Sequence, residues 1–421
     1  MNNAFLASFN CLDKIYTDKA FSTQELNRTL LFANAKDKAL VTKIVYGVLD
    51  CDIELDYIVN LHCQKAKPKL KLYLKMGTYI LKYLSMPVYA VVNDVVELVK
   101  VTKKRQLVGF VNATLKSIAK SLQEGIEYPQ DELEALSVKY SYPLWALKKL
   151  IKDYGKDVAK EIISYQLPKQ NNCRVNTNLI STKDFEKLLI DLKADYKQGH
   201  FENCFSISGK LEVDTKYYTV QSTSSMYVCH ALNTSGKVSI LDCCSAPGGK
   251  AVYLKTLNKK ADVVACDLYP HRVNLINEYA NRMGVEIETH VLDSTKTNEE
   301  FLNKFDYVLC DVPCSGFGVL DNHPDIKLFR ENAHLHELIL TQREILKNCS
   351  QYVKKGGVLV YSTCSVFKNE NVDNVKRFLA ENPDFQLEKL PIDKVNDGTY
   401  QFLPHKDFTQ GFFVARMVKT K

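Results

Sequence analysis

The stretch VSILDCCSAPGGK, residues 238–250, decides how the second half of the chain folds. It begins as a short apolar run, typical of a buried strand, and ends in two glycines before an amphipathic helix. Similar elements alternate after it, with strands predicted at 263–266, 307–309 and 358–361 and helices at 270–283 and 335–353. This alternation predicts a doubly wound, mostly parallel α/β sheet over residues 226–421.

The loop that follows Asp242 is suited to binding a ligand. Gly248 and Gly249 let a ligand approach the backbone, and the helix after them offers unpaired amide groups. The third glycine of the dinucleotide fingerprint is missing, so a ligand with a carboxylate and a ribose fits better than one with a pyrophosphate. Asp267 and Asp293 follow the next two strands, where they could accept the ribose hydroxyls and an exocyclic amine. These features indicate S-adenosylmethionine, and the alternative is a tight turn with ordinary capping acids.

Two cysteines follow the last two predicted parallel strands. Cys314 lies in DVPCSG, residues 311–316, and Cys364 lies in YSTCS, residues 361–365. Neighbouring parallel strands would hold both thiols over one crevice, beside a methyl group carried by the cofactor. Carbon 5 of a pyrimidine becomes a good nucleophile only after a thiolate adds at carbon 6, so thiols at this place indicate pyrimidine methylation.

Two charged residues could support that chemistry. Lys250 could supply a positive local field, and Asp311 could hydrogen-bond the ring nitrogen and stabilise the adduct. The alternative is a pair of buried strand-end cysteines that act as small hydrophobes. A metal site is disfavoured because no histidine or second cysteine falls at ligand spacing, so we expect no metal.

Residues 1–130 are predicted to form five to seven short helices with a concentrated positive charge. Pro68 and Pro87 fall where one helix could end and another begin. Residues 61–120 contain twelve lysines and arginines but only two acids. Such a block is typical of a surface that binds a phosphate backbone, and a solvated lysine-rich face is the alternative.

Residues 131–225 are predicted to hold linker helices and a small α+β subdomain, with strands at 173–176 and 217–220 around a helix at 183–192. The whole chain is 46% hydrophobic and 25% charged, which is ordinary for a globular protein. We see neither a membrane-spanning apolar run nor a signal peptide. The thirteen cysteines lack a CxxC pair and are expected to be reduced, in a monomeric, cytoplasmic protein.

Four motifs resemble those of the RNA 5-methylcytosine methyltransferases. They are CSAPGGK at 244–250, DVPCSG at 311–316, HPDIK at 323–327 and STCSV at 362–366. The sequences LPH at 403–405 and GFF at 411–413 are similar to the final strand pair of the family. The N-terminal part, above all VGFVNA at 108–113, is similar to a helical NusB-type RNA-binding domain.

The resemblance covers nearly the whole chain and implies its activity. It implies a NusB-like domain over 1–130, the linker unit over 131–225, and a Rossmann-like class I methyltransferase domain over 226–421. It further implies transfer of a methyl group from S-adenosylmethionine to carbon 5 of a cytosine through a covalent cysteine adduct. The implied partner is small-subunit (16S) ribosomal RNA, bound partly through the basic residues of 61–120.

The resemblance also implies roles for individual residues. Cys364 is expected to attack carbon 6, Cys314 to assist breakdown of the adduct, and Asp311 to bind the base. Lys250 is expected to lie in the active site. The residues expected to line the S-adenosylmethionine pocket are Cys244, Ser245, Ala246, Pro247, Gly248, Gly249, Lys250, Asp267, Asp293 and Asp311.

Two departures from the family pattern and three alternatives stand beside this interpretation. Ser245 replaces the usual alanine, and Ser222 stands where the family generally has aspartate, so no role is assigned to Ser222. Cys314 could be the nucleophile instead, because DNA cytosine methyltransferases use a Pro-Cys thiol. The chain could also be a non-catalytic RNA-binding or assembly factor. Amino-group methylation is disfavoured, because the residues 312–314 replace the tetrad typical of those enzymes.

Overall fold

The computed structural model describes residues 3–168, 170–209 and 211–421. All thirteen cysteines are free thiols, as the sequence predicts. Within the described ranges, no helix combines the length and the apolar character needed to cross a membrane.

The chain divides into two compact units. The first contains the chain up to Ser164 together with Leu320–Asn332, and the second contains Tyr165–Val319 and Ala333–Lys421. The expected three-domain division differs from this one, because the linker helices group with the helical unit and the α+β subdomain with the large sheet. The three-domain division stays a prediction.

The first unit is helical, as predicted. Within the described residues its N-terminal part contains α1 (Asn3–Asp18), α2 (Ser22–Phe32), α3 (Lys38–Asp50), α4 (Asp52–His62), α5 (Pro68–Tyr83), α6 (Val88–Val101), a 3-10 turn (Arg105–Leu107), α7 (Val108–Glu124), α8 (Glu132–Lys139), α9 (Leu144–Tyr154) and α10 (Lys156–Ser164). Pro68 opens α5 and Pro87 caps α6, positions where a missing backbone N–H costs little. The apolar faces of α1 and α3–α7 form one core.

The second unit begins with a four-stranded antiparallel sheet. Its elements are β1 (Gln170–Val175), α11 (Thr182–Asp191), β2 (Tyr196–Gln198), β3 (Cys204–Ser208) and β4 (Tyr218–Val220), with the strand order β2-β3-β1-β4. The prediction identified β1, α11 and β4 but missed the two strands between them. Strand β2 has only three residues, and serines interrupt the apolar pattern of β3, so neither shows a clear strand signal.

An eight-stranded sheet follows, and it confirms the predicted α/β domain. The elements along this part of the chain are α12 (Thr223–His230), β5 (Ser239–Asp242), α13 (Gly249–Leu257), β6 (Asp262–Asp267), α14 (Pro270–Arg282), β7 (Glu288–Val291), a 3-10 turn (Glu299–Phe301), β8 (Phe305–Asp311), α15 (Ile326–Phe329), α16 (Asn332–Ser350), β9 (Val353–Thr363), α17 (Val372–Glu381), β10 (Phe385–Leu387), β11 (Thr399–Phe402), α18 (Pro404–Asp407) and β12 (Phe412–Lys419). The short helix α15 belongs to the helical unit. The order is β10-β12-β9-β8-β5-β6-β7, with β11 beside β12. Strands β5–β9 are parallel and β12 is antiparallel to β9.

One predicted boundary was wrong. The helix expected over 335–353 ends at Ser350, and Val353 already opens strand β9. Val353 is fully buried and pairs with Phe305 of β8. Its apolar side chain therefore packs as part of the sheet, although the sequence pattern assigned it to the helix. Gly356, with φ +78°, lies inside the longer strand and does not end a helix.

Residues 320–332 pack within the helical unit although they follow β8 in the chain. The Asp325 carboxylate accepts hydrogen bonds from the backbone amide and the hydroxyl of Ser22. The buried Lys327 ammonium donates to the Asp50 carboxylate at 2.6 Å. The HPDIK motif therefore belongs to the structure of the helical unit.

Candidate active site

The residues predicted from the sequence come together at the carboxyl edge of the parallel strands. The glycine loop follows β5, β6 ends at Asp267, β8 ends at Asp311, and Cys364 directly follows β9. Asp293 comes two residues after β7. Because parallel strands end at the same edge of a sheet, loops that are distant in sequence share one site.

The loop before α13 leaves room for a ligand. Gly248 has φ +103°, and a Cβ added there would lie 3.2 Å from Ile276, so the turn requires glycine. A Cβ added to Gly249 would meet no atom within 4 Å, so the space beside it is open. The first amides of a helix have no partners within the helix and favour an anionic group. The loop therefore fits a ligand that carries a carboxylate.

Two acids border this loop. Asp267 accepts a hydrogen bond from the Ala246 amide at 3.1 Å and pairs with the Arg272 guanidinium at 3.2 Å. The acid expected to bind a ribose therefore also holds the loop in place. Asp293 accepts hydrogen bonds from the backbone amide and the hydroxyl of Thr295, and these bonds help to hold the pKa of Asp293 below its ordinary value.

A third acid, Asp242, was assigned no role from the sequence. It ends β5 and is fully buried. Burial, together with the negative charge of Asp311, raises its pKa from 3.8 to about 7. The Asp242 carboxyl group is therefore neutral in the folded protein at mildly acidic pH, where an unfolded chain would carry it ionised.

This shift predicts a pH-dependent stability. Between about pH 4 and pH 7 the folded state holds a proton that the unfolded state has lost, so stability falls as the pH rises through this window. At about 1.4 kcal/mol per pKa unit, the ionised form costs a few kcal/mol at pH 8. We expect Asp242→Asn to raise the apparent melting temperature by several degrees at pH 8 and by less than half as much at pH 5.

Differential scanning fluorimetry of the ligand-free protein from pH 5 to pH 8 measures this difference. Asp262→Asn, a neutralised acid at the exposed start of β6, is the matched control and should follow the wild-type pH profile. Parallel profiles for Asp242→Asn and wild type would contradict the raised pKa.

The two cysteines predicted to carry the chemistry are in contact. The Sγ atoms of Cys314 and Cys364 lie 3.0 Å apart, and both side chains are half-buried. The hydrogen bond to Cys364, together with burial, raises the pKa of Cys314 well above its ordinary value. Cys314 therefore keeps its proton at neutral pH, and either sulfur of the pair could donate the hydrogen bond between them.

An ion pair lies at the same edge of the sheet. The Lys250 ammonium donates to one Asp311 oxygen at 2.6 Å, and the Ser362 hydroxyl donates to the other at 2.6 Å. Burial disfavours the charged ammonium, but the Asp311 carboxylate outweighs it and holds the pKa of Lys250 above its ordinary value. Ser362 was not predicted as a site residue, although it lies inside the STCSV motif.

Close backbone packing holds the two cysteine loops together. The Gly318 amide donates to the Cys364 carbonyl at 2.9 Å, and the Gly411 amide donates to the Gly318 carbonyl at 2.8 Å. A Cβ added to Gly318 would lie 1.9 Å from the Gly411 oxygen and 2.8 Å from the Cys364 oxygen. Gly318 was not singled out from the sequence, and Gly411 was noted only within the GFF motif, because only the fold shows that these three loops meet.

Three other cysteines cluster in the core beneath the site. The sulfurs of Cys243, Cys310 and Cys349 lie within 4.8 Å of one another, and all three residues are buried. They come from the β5 loop, β8 and α16, so ligand spacing along the sequence does not reveal them. Their apolar surroundings suit small hydrophobic side chains, whereas their geometry would allow a metal ion. The expected absence of a metal stays a prediction.

In the helical unit, half of the twelve basic residues within 61–120 form ion pairs with nearby acids. Ion pairs to acids hold Lys69, Lys71, Lys75, Lys82, Lys100 and Lys120. No ion pair within the described residues holds Lys65, Lys67, Lys103, Lys104, Arg105 or Lys116. Tyr73 of α5 hydrogen-bonds with Thr102, so the loops before α5 and after α6, which carry five of these six cations, lie at one end of the unit.

Two family models match the chain. Residues 229–418 match a family described as 16S rRNA methyltransferase RsmB/F, and residues 4–120 match the NusB family. The matches fall on the unit with the eight-stranded sheet and on α1–α7. They confirm the predicted combination of a NusB-like domain with a methyltransferase domain.

Full-length relatives carry the same combination. The probable ribosomal RNA small subunit methyltransferase B of Bacillus subtilis (strain 168) is 33% identical over 98% of each chain. The ribosomal RNA small subunit methyltransferase B of Shewanella oneidensis is 28% identical over 100% of this chain and 99% of its own. The likeness therefore spans both units.

Solved structures share the fold. The protein PH0851 superimposes with a TM-score of 0.83 over 98% of this chain and 97% of its own, at 23% identity. NSun6 from Pyrococcus horikoshii, solved with SFG, has a TM-score of 0.59 over 65% of this chain and 97% of its own, at 21% identity. Both comparisons confirm the fold.

Proposed function

Because the chain belongs to the 16S rRNA methyltransferase RsmB/F family, we propose that it transfers a methyl group from S-adenosylmethionine to carbon 5 of a cytosine in small-subunit ribosomal RNA. The observation that carries this proposal is the 3.0 Å contact between Cys314 and Cys364 at the edge that also holds the Lys250–Asp311 pair. Carbon-5 methylation needs a thiol that adds to the ring, whereas methylation of an amino group does not.

The cofactor would lie against the loop 244–250. S-adenosylmethionine, when bound, supplies an electrophilic methyl group. The open space at Gly249 and the amides that begin α13 suit its carboxylate. Asp267 would accept the ribose hydroxyls, Asp293 would accept the adenine amine, and Asp311 would complete the pocket. All of these groups lie at the ends of adjacent strands.

Cys364 is proposed to be the nucleophile. As a thiolate it adds to carbon 6 of the cytosine, and the electron pair of the C5–C6 double bond moves to carbon 5, which then takes up the methyl group. The pKa of the neighbouring Cys314 is raised well above its ordinary value, so Cys314 is the poorer candidate for the attacking thiolate. The positive charge of Lys250 would stabilise a thiolate at this edge of the sheet.

Cys314 is proposed to assist release of the product. After methyl transfer, a water molecule accepts the hydrogen on carbon 5 as a proton, the electron pair of the C5–H bond restores the C5–C6 double bond, and the C6–S bond to Cys364 breaks. The departing sulfur regains its electron pair as a thiolate. Cys314 lies 3.0 Å from that sulfur, close enough to stabilise it by donating a hydrogen bond.

Asp311 is proposed to bind the base. Its carboxylate is paired with Lys250 and can only accept hydrogen bonds. It therefore suits the exocyclic amine of cytosine, and it suits the ring nitrogen once that nitrogen is protonated in the adduct. An acceptor that gains a partner when the adduct forms stabilises the adduct over the free base.

The proposal is tested with methyl-labelled S-adenosylmethionine and small-subunit RNA from cells that lack this gene. Naked RNA and assembled subunits are both offered, and the RNA is then digested to nucleosides. We expect the label in 5-methylcytidine. Label in a different nucleoside, or none with either substrate, would contradict the proposal, and the second result would favour a non-catalytic assembly factor.

The helical unit is proposed to contact the RNA through its unpaired cations. Lys67, Lys103 and Lys104 lie in the two loops at one end of the unit. We expect their joint replacement by glutamine to weaken RNA binding about tenfold or more at 0.1 M salt. The slope of log Kd against log salt should fall by about 0.7 to 0.9 for each phosphate that the variant no longer neutralises, measured by fluorescence anisotropy.

The matched control neutralises three exposed lysines that already have carboxylate partners, namely Lys120, Lys156 and Lys187. We expect a smaller loss of affinity and an unchanged salt slope, since paired charges release fewer counterions. An equal loss in both triple variants would show that the loop cations have no special part in binding.

A further inference from the structure

A buried carboxylate lies between the two cysteine loops and was not identified from the sequence. Glu370 is fully buried and precedes α17. One of its oxygens accepts a hydrogen bond from the Ser315 amide at 2.8 Å. The other accepts hydrogen bonds from the Ser315 hydroxyl at 2.6 Å and from the Ser365 hydroxyl. Ser315 directly follows Cys314, and Ser365 directly follows Cys364. A single carboxylate thus holds the residues that follow both thiols.

Gln342 of α16 completes this arrangement. Its side-chain nitrogen donates to Glu370 at 2.9 Å and to the Pro313 carbonyl at 2.9 Å. Its side-chain oxygen accepts from Asn374 of α17 at 3.0 Å, which fixes the orientation of the amide. Gln342 is fully buried, so its donor group points permanently at Glu370 and at the residue that precedes Cys314.

The arrangement requires an acceptor at position 370. Four groups donate to the Glu370 carboxylate, and an ionised carboxylate has acceptor sites for all of them. Glutamine has the same shape but would turn an NH2 group toward donors. Because Ser315 supplies two of the four bonds and Ser365 only one, the loop of Cys314 depends more on Glu370 than the loop of Cys364 does.

We propose that Glu370 is a positioning residue that fixes Cys314 against Cys364 and thereby sets the rate at which the methylated product is released. This inference rests on the proposed function for its catalytic consequence, but the placement of the two sulfurs is a property of the fold alone. Glu370 has no contact with the reacting atoms, and it acts through Ser315 and Ser365.

The first test measures the placement of the sulfurs without any reaction on RNA. Diamide oxidises two adjacent thiols to a disulfide and accepts both electrons, and mass spectrometry of peptides quantifies the Cys314–Cys364 bond. We expect Glu370→Gln to slow its formation about tenfold or more relative to wild type, because loosened loops reduce the effective concentration of one thiol near the other. An unchanged rate would overturn the proposal, even if the protein proved to be no methyltransferase.

The second test measures catalysis. A misplacement of about 1 Å can cost on the order of 100-fold in rate, so we expect kcat of Glu370→Gln to fall by about that factor, with KM for S-adenosylmethionine unchanged within about twofold. Covalent protein–RNA adduct should accumulate, because release suffers most. A fall in kcat without adduct, or a matching rise in KM, would contradict a role in release.

The matched control is Glu381→Gln, the same substitution at the exposed end of α17, where the carboxylate pairs with Arg377. It should behave as wild type in both tests. If Glu370→Gln fails to fold, Ser365→Ala and Ser315→Ala each remove one hydroxyl donor and keep the carboxylate. Ser315→Ala should then slow disulfide formation, and a wild-type rate in both serine variants would overturn the proposal.

Discussion

Cys364→Ala is expected to abolish the incorporation of label into 5-methylcytidine. Without a thiolate at carbon 6, carbon 5 of cytosine has no means of becoming nucleophilic, so the rate should fall by at least about four orders of magnitude, as when other enzymes lose a covalent nucleophile. No protein–RNA adduct should appear on a denaturing gel. Binding of S-adenosylmethionine, followed by calorimetry, should stay near the wild-type level, because the thiol lies outside the proposed cofactor loop.

The matched control is Cys63→Ala, which removes another half-buried thiol, in the helical unit, and should leave the rate unchanged. A stable adduct formed by Cys364→Ala would reverse the assignment and make Cys314 the nucleophile. Full activity in the variant would exclude a covalent mechanism through Cys364.

Cys314→Ala is expected to trap the enzyme on its product. In the proposed mechanism, addition of Cys364 and transfer of the methyl group do not need Cys314, whereas breakdown of the adduct does. One methyl group per protein molecule should therefore be transferred, while steady-state turnover falls by about 100-fold or more, the scale on which the loss of one positioned hydrogen-bond donor to a developing negative charge acts. A slowly migrating protein–RNA band that carries the label should appear on a denaturing gel.

The double variant, with both cysteines replaced by alanine, separates this trapped species from non-specific crosslinking. It should show no band at all, because the attacking sulfur is absent. Normal turnover by the Cys314→Ala variant, or loss of turnover without any adduct, would contradict a role for Cys314 in release.

The main residues of the proposed site could be predicted from the sequence because Asp311, Cys314 and Cys364 lie at or shortly after strand ends and Lys250 begins the helix that follows β5. Lys250, Asp311, Cys314 and Cys364 are brought together by a rule that needs no three-dimensional detail: parallel strands share one carboxyl edge. The residues that hold them could not be found in this way. Glu370 reaches Ser315 across 55 positions of sequence through loops whose paths depend on packing.

The basic block shows a second limit of the sequence pattern. Counting charges within 61–120 overstated the unpaired positive charge, because the acids that pair with Lys71, Lys75 and Lys82 lie one helix earlier, in α4. Asp52 and Asp56 of α4 face Lys75 of α5, and these ion pairs require the two helices to lie side by side. The four-residue spacing of the two acids places them on one helical face, which was the signal available in advance.

The helical unit is discontinuous in the chain, and this affects its synthesis on the ribosome. Its segment 320–332 emerges roughly 150 residues after α10, a delay on the order of 10 to 30 s at bacterial or eukaryotic elongation rates. During that interval Ser22 and Asp50 lack their hydrogen-bond partners Asp325 and Lys327, because those two residues follow Cys314 in the chain. The amino-terminal half therefore completes its fold only when most of the catalytic half has been translated.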